Sequence, residues 1–484
     1  MSETKKTQGQ NAGSCKIELA TILDKKDPSR SVSVAGGFVE MRYYESILQD
    51  GIQASFMFSD AGNSIDGKTV SEGFPLNGGE TFQFKAKDNN ETTLEFEMIV
   101  GNDTNISSQT TKSLVILPLS SKAYAVNDTQ NVRKFFPNQK ISDHVKTLMT
   151  EFLKTEKTLD IEDTSNSLKE YGLNRKPYYM LNTFAKKAQP SGGEGQTAGY
   201  FFFETSEKMV FKSIDSFFDE EKNPRKKSII YNETPDSRGA NIPEGYDMKA
   251  LTFSKDNRVN VQEKMQAGFQ STRIVLFDPY TCKYEVLNPK ATGDDGVEDS
   301  LKKGGKELPV LNPEFNRQGE NKQFSRTTYI VKDTGTLPSG TSQQQIEKSK
   351  DPNFRPELIT NQAIMRYNQL YASEIEITIP GDFSLHAGDA LYFDAPSAQE
   401  DTKNDDIDRQ IGGLYIISAL CHLVNAEGTY TKLNLVRDSF GRTGKAREGT
   451  NESGKPATPT QTPGVQNPYQ RTVSRLATDT ITTF

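Results

Sequence analysis

Short alternating runs of apolar and polar residues dominate the first quarter of the chain. Ile17 and Leu19, the stretch Ile52 to Phe58, Phe82-Gln83-Phe84 and Leu94 to Met98 place apolar side chains at every second position, and the unbroken run Leu114 to Leu117 follows. Successive side chains of a strand point to opposite faces, so each run predicts a strand with one wet and one dry face. Breaks such as Asp60-Ala61-Gly62-Asn63 and Lys87-Asp88-Asn89-Asn90 separate them. Strands at this spacing predict a small antiparallel barrel or sandwich.

The period then changes. Val145, Leu148, Met149, Phe152 and Leu153 form a helical stripe that Ser142 can cap, and Pro177 opens a second helix presenting Leu181, Phe184, Ala185 and Ala188. After the glycine-rich stretch Ser191 to Gly199, Tyr200 to Glu204 and Met209 to Lys212 predict a hairpin. A short helix is expected over Val261 to Ala267, and Thr272 to Phe277 should pair with Cys282 to Val286 across Asp278-Pro279-Tyr280-Thr281. From Ala291 to Pro356 the chain is polar. A helix carrying Ala363, Ile364, Tyr367, Leu370 and Tyr371 follows, then strands over Glu374 to Ile379, Leu391 to Phe393, Leu414 to Val424 and Tyr430 to Val436. Past Gly441 the composition is that of a linker.

One string occurs twice. Leu76-Asn77-Gly78-Gly79-Glu80-Thr81-Phe82-Gln83-Phe84 matches Leu385-His386-Ala387-Gly388-Asp389-Ala390-Leu391-Tyr392-Phe393 as Leu-x-x-Gly-acid-x-apolar-x-Phe. Each reads as a glycine-permitted reversal running into a strand, one in each all-β segment, which points to two copies of one unit. The expected fold is mainly β with α+β: two small antiparallel, tube-like β-barrel domains plus an α+β domain. The expected divisions are a flexible terminus 1–13, a first barrel 14–130, an α+β domain 131–216 and a connecting segment with helix and hairpin 217–290. A polar insertion 291–356, a second barrel 357–440 and an extended tail 441–484 complete them.

Composition narrows the function. The chain has 484 residues, with 58 basic against 65 acidic, so it lacks the cationic excess of a general nucleic-acid-binding surface. No stretch approaches the roughly 20 apolar residues that cross a bilayer, and residues 1–14 lack a signal-peptide core, so a cytoplasmic site of synthesis is expected. The three cysteines, Cys15, Cys282 and Cys421, suit neither a disulfide framework nor a zinc site and are expected as small buried apolar groups. His144, His386 and His422 lie in separate segments, and Cys421 and His422 should face opposite ways on one strand. The string Gly193-Glu194-Gly195-Gln196-Thr197-Ala198 leads into a strand rather than a helix, the wrong order for a dinucleotide loop. The cluster Gly293-Asp294-Asp295-Gly296 lacks the ligand spacing of a calcium loop. With no tryptophan for a sugar platform, no acid pair stands out. No catalytic, cofactor-binding or metal residue is expected, no cofactor, and no enzymatic activity.

The order of several strings resembles the central baseplate hub protein of T4-like contractile-tailed bacteriophages. They are Lys140 to Val145, Arg175-Lys176-Pro177-Tyr178 with Leu181 to Ala185, Gly199 to Thr205, Phe211 to Ser216, Gln266 to Phe269 and Phe277-Asp278-Pro279. Ile379-Pro380-Gly381 with Leu385 to Asp389, Gly413 to Ile417 and Val436 to Ser439 continue the series. The likeness covers about 115–440; the 291–356 segment and the tail have no counterpart. It implies a homotrimer whose six similar barrels join a six-fold tail tube to a three-fold spike, with barrel edges closing the ring and DNA passing through the lumen without sequence-specific binding. The implied partners are the central spike protein and the tail tube or tube-initiator proteins, with the tape measure protein as a further candidate. The implied location is the virion baseplate, assembled in the host cytoplasm. A hub of a related contractile injection system and a tail-associated cell-wall hydrolase are the alternatives.

Overall fold

The computed structural model describes residues 13, 15–62, 65, 67–74, 76–101, 104–108, 112–191, 197–231, 245–256, 272–279, 281–287, 291–292, 301–302, 326–333, 340–349, 353–395 and 411–438. The expected helix at Val261 to Ala267, the Gly293 to Gly296 cluster, the string Gln266 to Phe269, most of the Gly193 to Ala198 string and the tail after Gly441 lie outside them.

Alternation builds the first unit. Its strands are β1 (Lys16–Leu23), β2 (Ser31–Ser33), β3 (Phe38–Ser46), β4 (Gln53–Asp60), β5 (Thr81–Lys87), β6 (Thr93–Val100), β7 (Asn105–Ser108) and β8 (Ser113–Ser121), with a one-turn helix α1 (Val70–Gly73). In β5, Phe82, Phe84 and Ala86 are buried while Gln83, Lys85 and Lys87 face outward. The aromatic centre follows from that register: Phe56 meets Phe82 at 4.7 Å between ring centroids and Phe84 meets Phe96 at 5.1 Å.

The middle of the chain is α+β. Here α2 (Lys122–Thr129), β9 (Phe135–Lys140), α3 (Ile141–Thr147), β10 (Thr158–Ile161), β11 (Ser167–Tyr171), α4 (Pro177–Lys187), β12 (Tyr200–Glu204), β13 (Lys208–Ser213) and α5 (Ile214–Phe218) enclose a separate core around Leu148, Leu181, Phe184 and Phe211. Pro177 stands in the first turn of α4, as its missing N–H predicts. Ser142 does not cap α3. Lys140 holds the cap position, and Ser142 donates its N–H to Thr164 Oγ1 instead, because the helix starts against that neighbouring loop.

The second unit draws on distant segments. β14 (Lys227–Tyr231), β15 (Met248–Ala250) and β16 (Thr252–Asp256) precede β17 (Thr272–Asp278), β18 (Lys283–Leu287), β19 (Ala291–Thr292), β20 (Leu301–Lys302) and β21 (Arg326–Val331). Helices α6 (Ser342–Ser349) and α7 (Pro356–Leu370) lead to β22 (Ser373–Pro380), β23 (Ala390–Asp394), β24 (Gly413–Asn425) and β25 (Thr429–Arg437). The expected β17–β18 hairpin forms, and β21 joins it in parallel from within the stretch read as a polar insertion. Cys282 is exposed, a correction to the expectation of burial: it occupies a left-handed position, φ 54°, in that hairpin's turn.

Neither unit closes into a barrel. Closure would need the outer edge of β3 to return to its own unit, but Ser46 to Glu40 of β3 pair instead with Ala419 to Asn425 of β24. Thirteen residues long, β24 carries β23 on the first part of one edge and β3 on the second, so the twin units merge into one open sheet of fifteen strands.

Candidate functional site: the junction of the two sheets

The repeated string marks a repeated structure. In the first copy Gly79, at φ 88°, donates its N–H to Val100 O at 2.8 Å, and Val100 returns one to Glu80 O at 2.8 Å. In the second, Gly388, at φ 87°, donates to Ile417 O at 2.8 Å, and Ile417 returns one to Asp389 O at 2.9 Å. Each acid also ties its own turn, Glu80 accepting from Asn77 N–H at 3.1 Å and Asp389 from His386 N–H at 2.9 Å.

The correspondence extends across five strands. Order β3-β4-β8-β6-β5 in one unit matches β16-β22-β25-β24-β23 in the other, every pairing antiparallel. Registers agree as well. Thr81 opposite Ile99 corresponds to Ala390 opposite Ile416, and Val100 opposite Leu119 to Ile417 opposite Leu435. Ala54 opposite Leu119 corresponds to Ile375 opposite Leu435, and Tyr44 opposite Gln53 to Asp256 opposite Glu374. The copies part beyond β5 and β23, where β1 runs antiparallel and β14 parallel, and along β8, where β6 and β7 together supply the pairing that β24 alone gives β25.

Where the units meet, buried polar groups hold them. Glu45, on the core-facing side of β3, accepts from Tyr43 Oη at 2.7 Å, Ser206 N–H at 2.8 Å and Ala387 N–H at 3.0 Å, and lies 3.3 Å from His386 Nδ1. One carboxylate thus binds the first unit, the middle module and the second unit. Burial alone would push Glu45 up, but the hydrogen bond and charge of His386, with Tyr43 and Ala387, hold it below the usual carboxylate range. The same partnership raises His386 against the effect of its own burial, with Asp389 and Glu207 adding to the pull. Nearby, Glu204 accepts from Ser121 Oγ at 2.5 Å and pairs with Lys157 at 2.8 Å. Asp88 accepts from Phe383 N–H at 2.9 Å, fastening a first-unit turn to a second-unit loop.

Arg366 on α7 forms another buried node. Its guanidinium is fully enclosed and donates to Asp215 at 2.7 Å, Asp438 at 3.0 Å and Thr197 Oγ1 at 2.9 Å. Apolar contacts complete the joint: Phe201 and Phe203 of β12, with Ile214 and Phe217, pack on Leu414 and Ile416 of β24. Two-sided packing explains why β12 is buried at every position, for Tyr200 and Phe202 enter the middle core while Phe201 and Phe203 enter the joint.

His144 sits in the middle core, whereas His386 and His422 lie close enough at the junction for their charges to interact. His144 is buried with Nε2 2.9 Å from Leu168 O, His386 belongs to the junction, and His422 is enclosed between Tyr43 and Phe383 with Nδ1 3.0 Å from Thr431 Oγ1. Burial lowers His422 to about 4, keeping it neutral, and raises the Cys421 thiol. Among the described residues no three His, Cys, Asp or Glu side chains converge to hold a metal ion.

No family model matches the sequence, and no curated protein does. Its structural neighbours include tail and baseplate proteins and VgrG-type components of type VI secretion. A tail protein from Neisseria meningitidis MC58 is 10% identical at a TM-score of 0.47, covering 88% of this chain and 97% of that one. The 43 kDa tail protein of prophage MuSo2 from Shewanella oneidensis is 11% identical at 0.47, covering 88% and 99%. A chain of the phage P2 baseplate in its activated conformation is 9% identical at 0.27, covering 85% and 90%.

No helix of the described residues is long and apolar enough to cross a membrane. Sequence reasoning placed the twin turns but missed Glu45 and Arg366, two charged residues at positions where an apolar pattern has no use for them.

Proposed function

We propose that this chain is the structural hub subunit of a contractile phage tail, three copies of which present six equivalent β units in a ring. The observation that carries the reading is the five-strand repeat with matching registers inside one polypeptide. Two like units per chain let a three-fold assembly offer a six-fold face to a tail tube and keep three-fold symmetry towards a central spike. The buried bonds at Glu45, Asp88 and Glu204 support the rigidity that such an adaptor needs, since a hinge between twin units would blur the six-fold repeat. DNA passage through the ring, and contacts with tube and spike proteins, belong to this reading.

The test is the mass in solution. Light scattering on the purified chain at micromolar concentration should give three times the 53.9-kDa monomer. Image averages should show a ring of six similar densities. A stable monomer, or a ring whose densities fall into two unlike sets, overturns the proposal.

A further inference from the structure

Away from the sheet junction, we propose that the cleft beside α4 and the knob next to it form a docking site for an acidic polypeptide segment with an apolar anchor. The cleft has a volume of about 400 Å³ and lies between α2 and α4, with Asp50, Tyr178, Tyr179, Lys176 and Lys186 among its walls. Tyr178 is buried beneath the cleft, its ring 5.3 Å from that of Phe202 between centroids. Tyr179 is 53% exposed, and the Arg175 guanidinium stands 5.0 Å over its ring.

Arg175 also ends the knob. Leu173 and Asn174 are successive left-handed residues, φ 44° and 59°, in a turn closed by Arg175 N–H donating to Gly172 O at 2.9 Å. Leucine is strained there, yet its side chain is 74% exposed, beside the half-exposed ring pair Phe135 and Tyr171 at 4.8 Å. Strain spent on presenting an apolar side chain to water is explained by a partner that covers it.

Charge gives the partner's character. Among the described residues Arg133, Arg175, Lys176 and Lys186, which surround cleft and knob, make no ion pair, whereas Lys134 is neutralised by Glu151 at 2.6 Å. On a chain of net charge −7 this is a local cationic face. Its complement is a carboxylate-bearing segment. Asp50, half-buried in the cleft wall and bonded by Asn182 at 2.7 Å, is free to accept a peptide N–H on its other oxygen positions but offers nothing to a phosphodiester oxygen, which favours polypeptide over nucleic acid.

A blocked twelve-residue peptide with four glutamates around a Phe-Leu pair, read by fluorescence anisotropy, tests the site. Micromolar binding is expected. It should weaken at least tenfold with Lys176→Glu plus Lys186→Glu, and severalfold when the peptide's Phe-Leu pair becomes Ser-Ser or its glutamates glutamine. Leu173→Asn, which relaxes the left-handed turn and should leave unfolding unchanged or raised, should also weaken binding severalfold. Absence of binding, indifference to these changes, or tighter binding of an oligothymidylate of equal length overturns the proposal. Light scattering on the same variants keeps this outcome separate from that for the ring.

Discussion

The twin turns offer a controlled perturbation, because the same substitution enters the same backbone conformation in two surroundings. Alanine at Gly79 or Gly388 forces a Cβ into φ 88° or 87°, which costs about 1–2 kcal/mol. The surroundings then differ. At Gly79 the nearest atom to a new Cβ is Lys25 Cδ at 3.6 Å, an ordinary contact with a flexible side chain. At Gly388 it meets Phe203 Cζ at 2.9 Å and Phe217 Cε1 at 3.1 Å, rings locked in the joint between the middle module and β24. Overpacking of that kind adds about 1–3 kcal/mol, so Gly388→Ala should cost roughly 2–5 kcal/mol in all and Gly79→Ala roughly 1–2. Equilibrium urea unfolding of both variants, followed by tyrosine fluorescence and far-UV circular dichroism, measures the difference. A cavity-making relief, Gly388→Ala with Phe203→Leu, should recover part of the excess. Equal losses at the two glycines, or no recovery, would refute the argument that the second turn is wedged into the joint.

Three further outcomes follow from the buried charges. Arg366→Met leaves Asp215 and Asp438 without their cation and should cost about 3–5 kcal/mol in denaturant unfolding, as for other broken buried pairs. His422 titrates near 6.5 when unfolded and about 4 when folded, so the unfolded chain takes up the proton first: stability present above pH 6.5 should fall by up to about 3 kcal/mol as the pH drops to 4, and His422→Gln should flatten that fall. His386 is raised, so its contribution is full below pH 6.5 and is lost as pH climbs through its folded value; His386→Gln should remove that alkaline loss and, because Glu45 and His422 both feel the His386 charge, shift the acid limb as well. Proton uptake measured by pH-dependent unfolding midpoints decides both.

The sequence reading succeeded where one face of an element is apolar and the other wet. Strands β4, β5, β22 and β25 and helix α4 announce themselves, and so does the turn whose glycine needs a left-handed conformation. It missed β3, although that strand joins the units. The reason is visible in Phe38–Ser46: the inward positions Met41 and Tyr43 are followed inward by Glu45, so the alternation breaks at the residue that binds three cores together. β16 is obscured in a similar way, since Thr252–Asp256 has Phe253 as its one large apolar residue and finds its partner β22 more than a hundred positions away. Barrel closure was expected because strand spacing reports pairing within a unit; the pairing of β3 with β24 is non-local and leaves no periodic trace.

That non-local pairing also bears on how copies could meet. An open sheet adds neighbours through unpaired strand edges, but pairing β3 to β24 uses the longest edges that the two units have. Among the described residues, the strands left at the sheet's margins are short: β2 and β15 have three residues each, β7 has four and β16 has five. Three to five residues supply few ladder bonds to hold a ring against the entropy of association, so contacts between copies should run through side-chain faces rather than through continued β-pairing. Hydrogen exchange can tell these apart. If the assembled protein protects the amides of β2, β7, β15 and β16 no better than a dissociated variant does, faces close the ring; strong protection confined to those margins on assembly would show that the edges do.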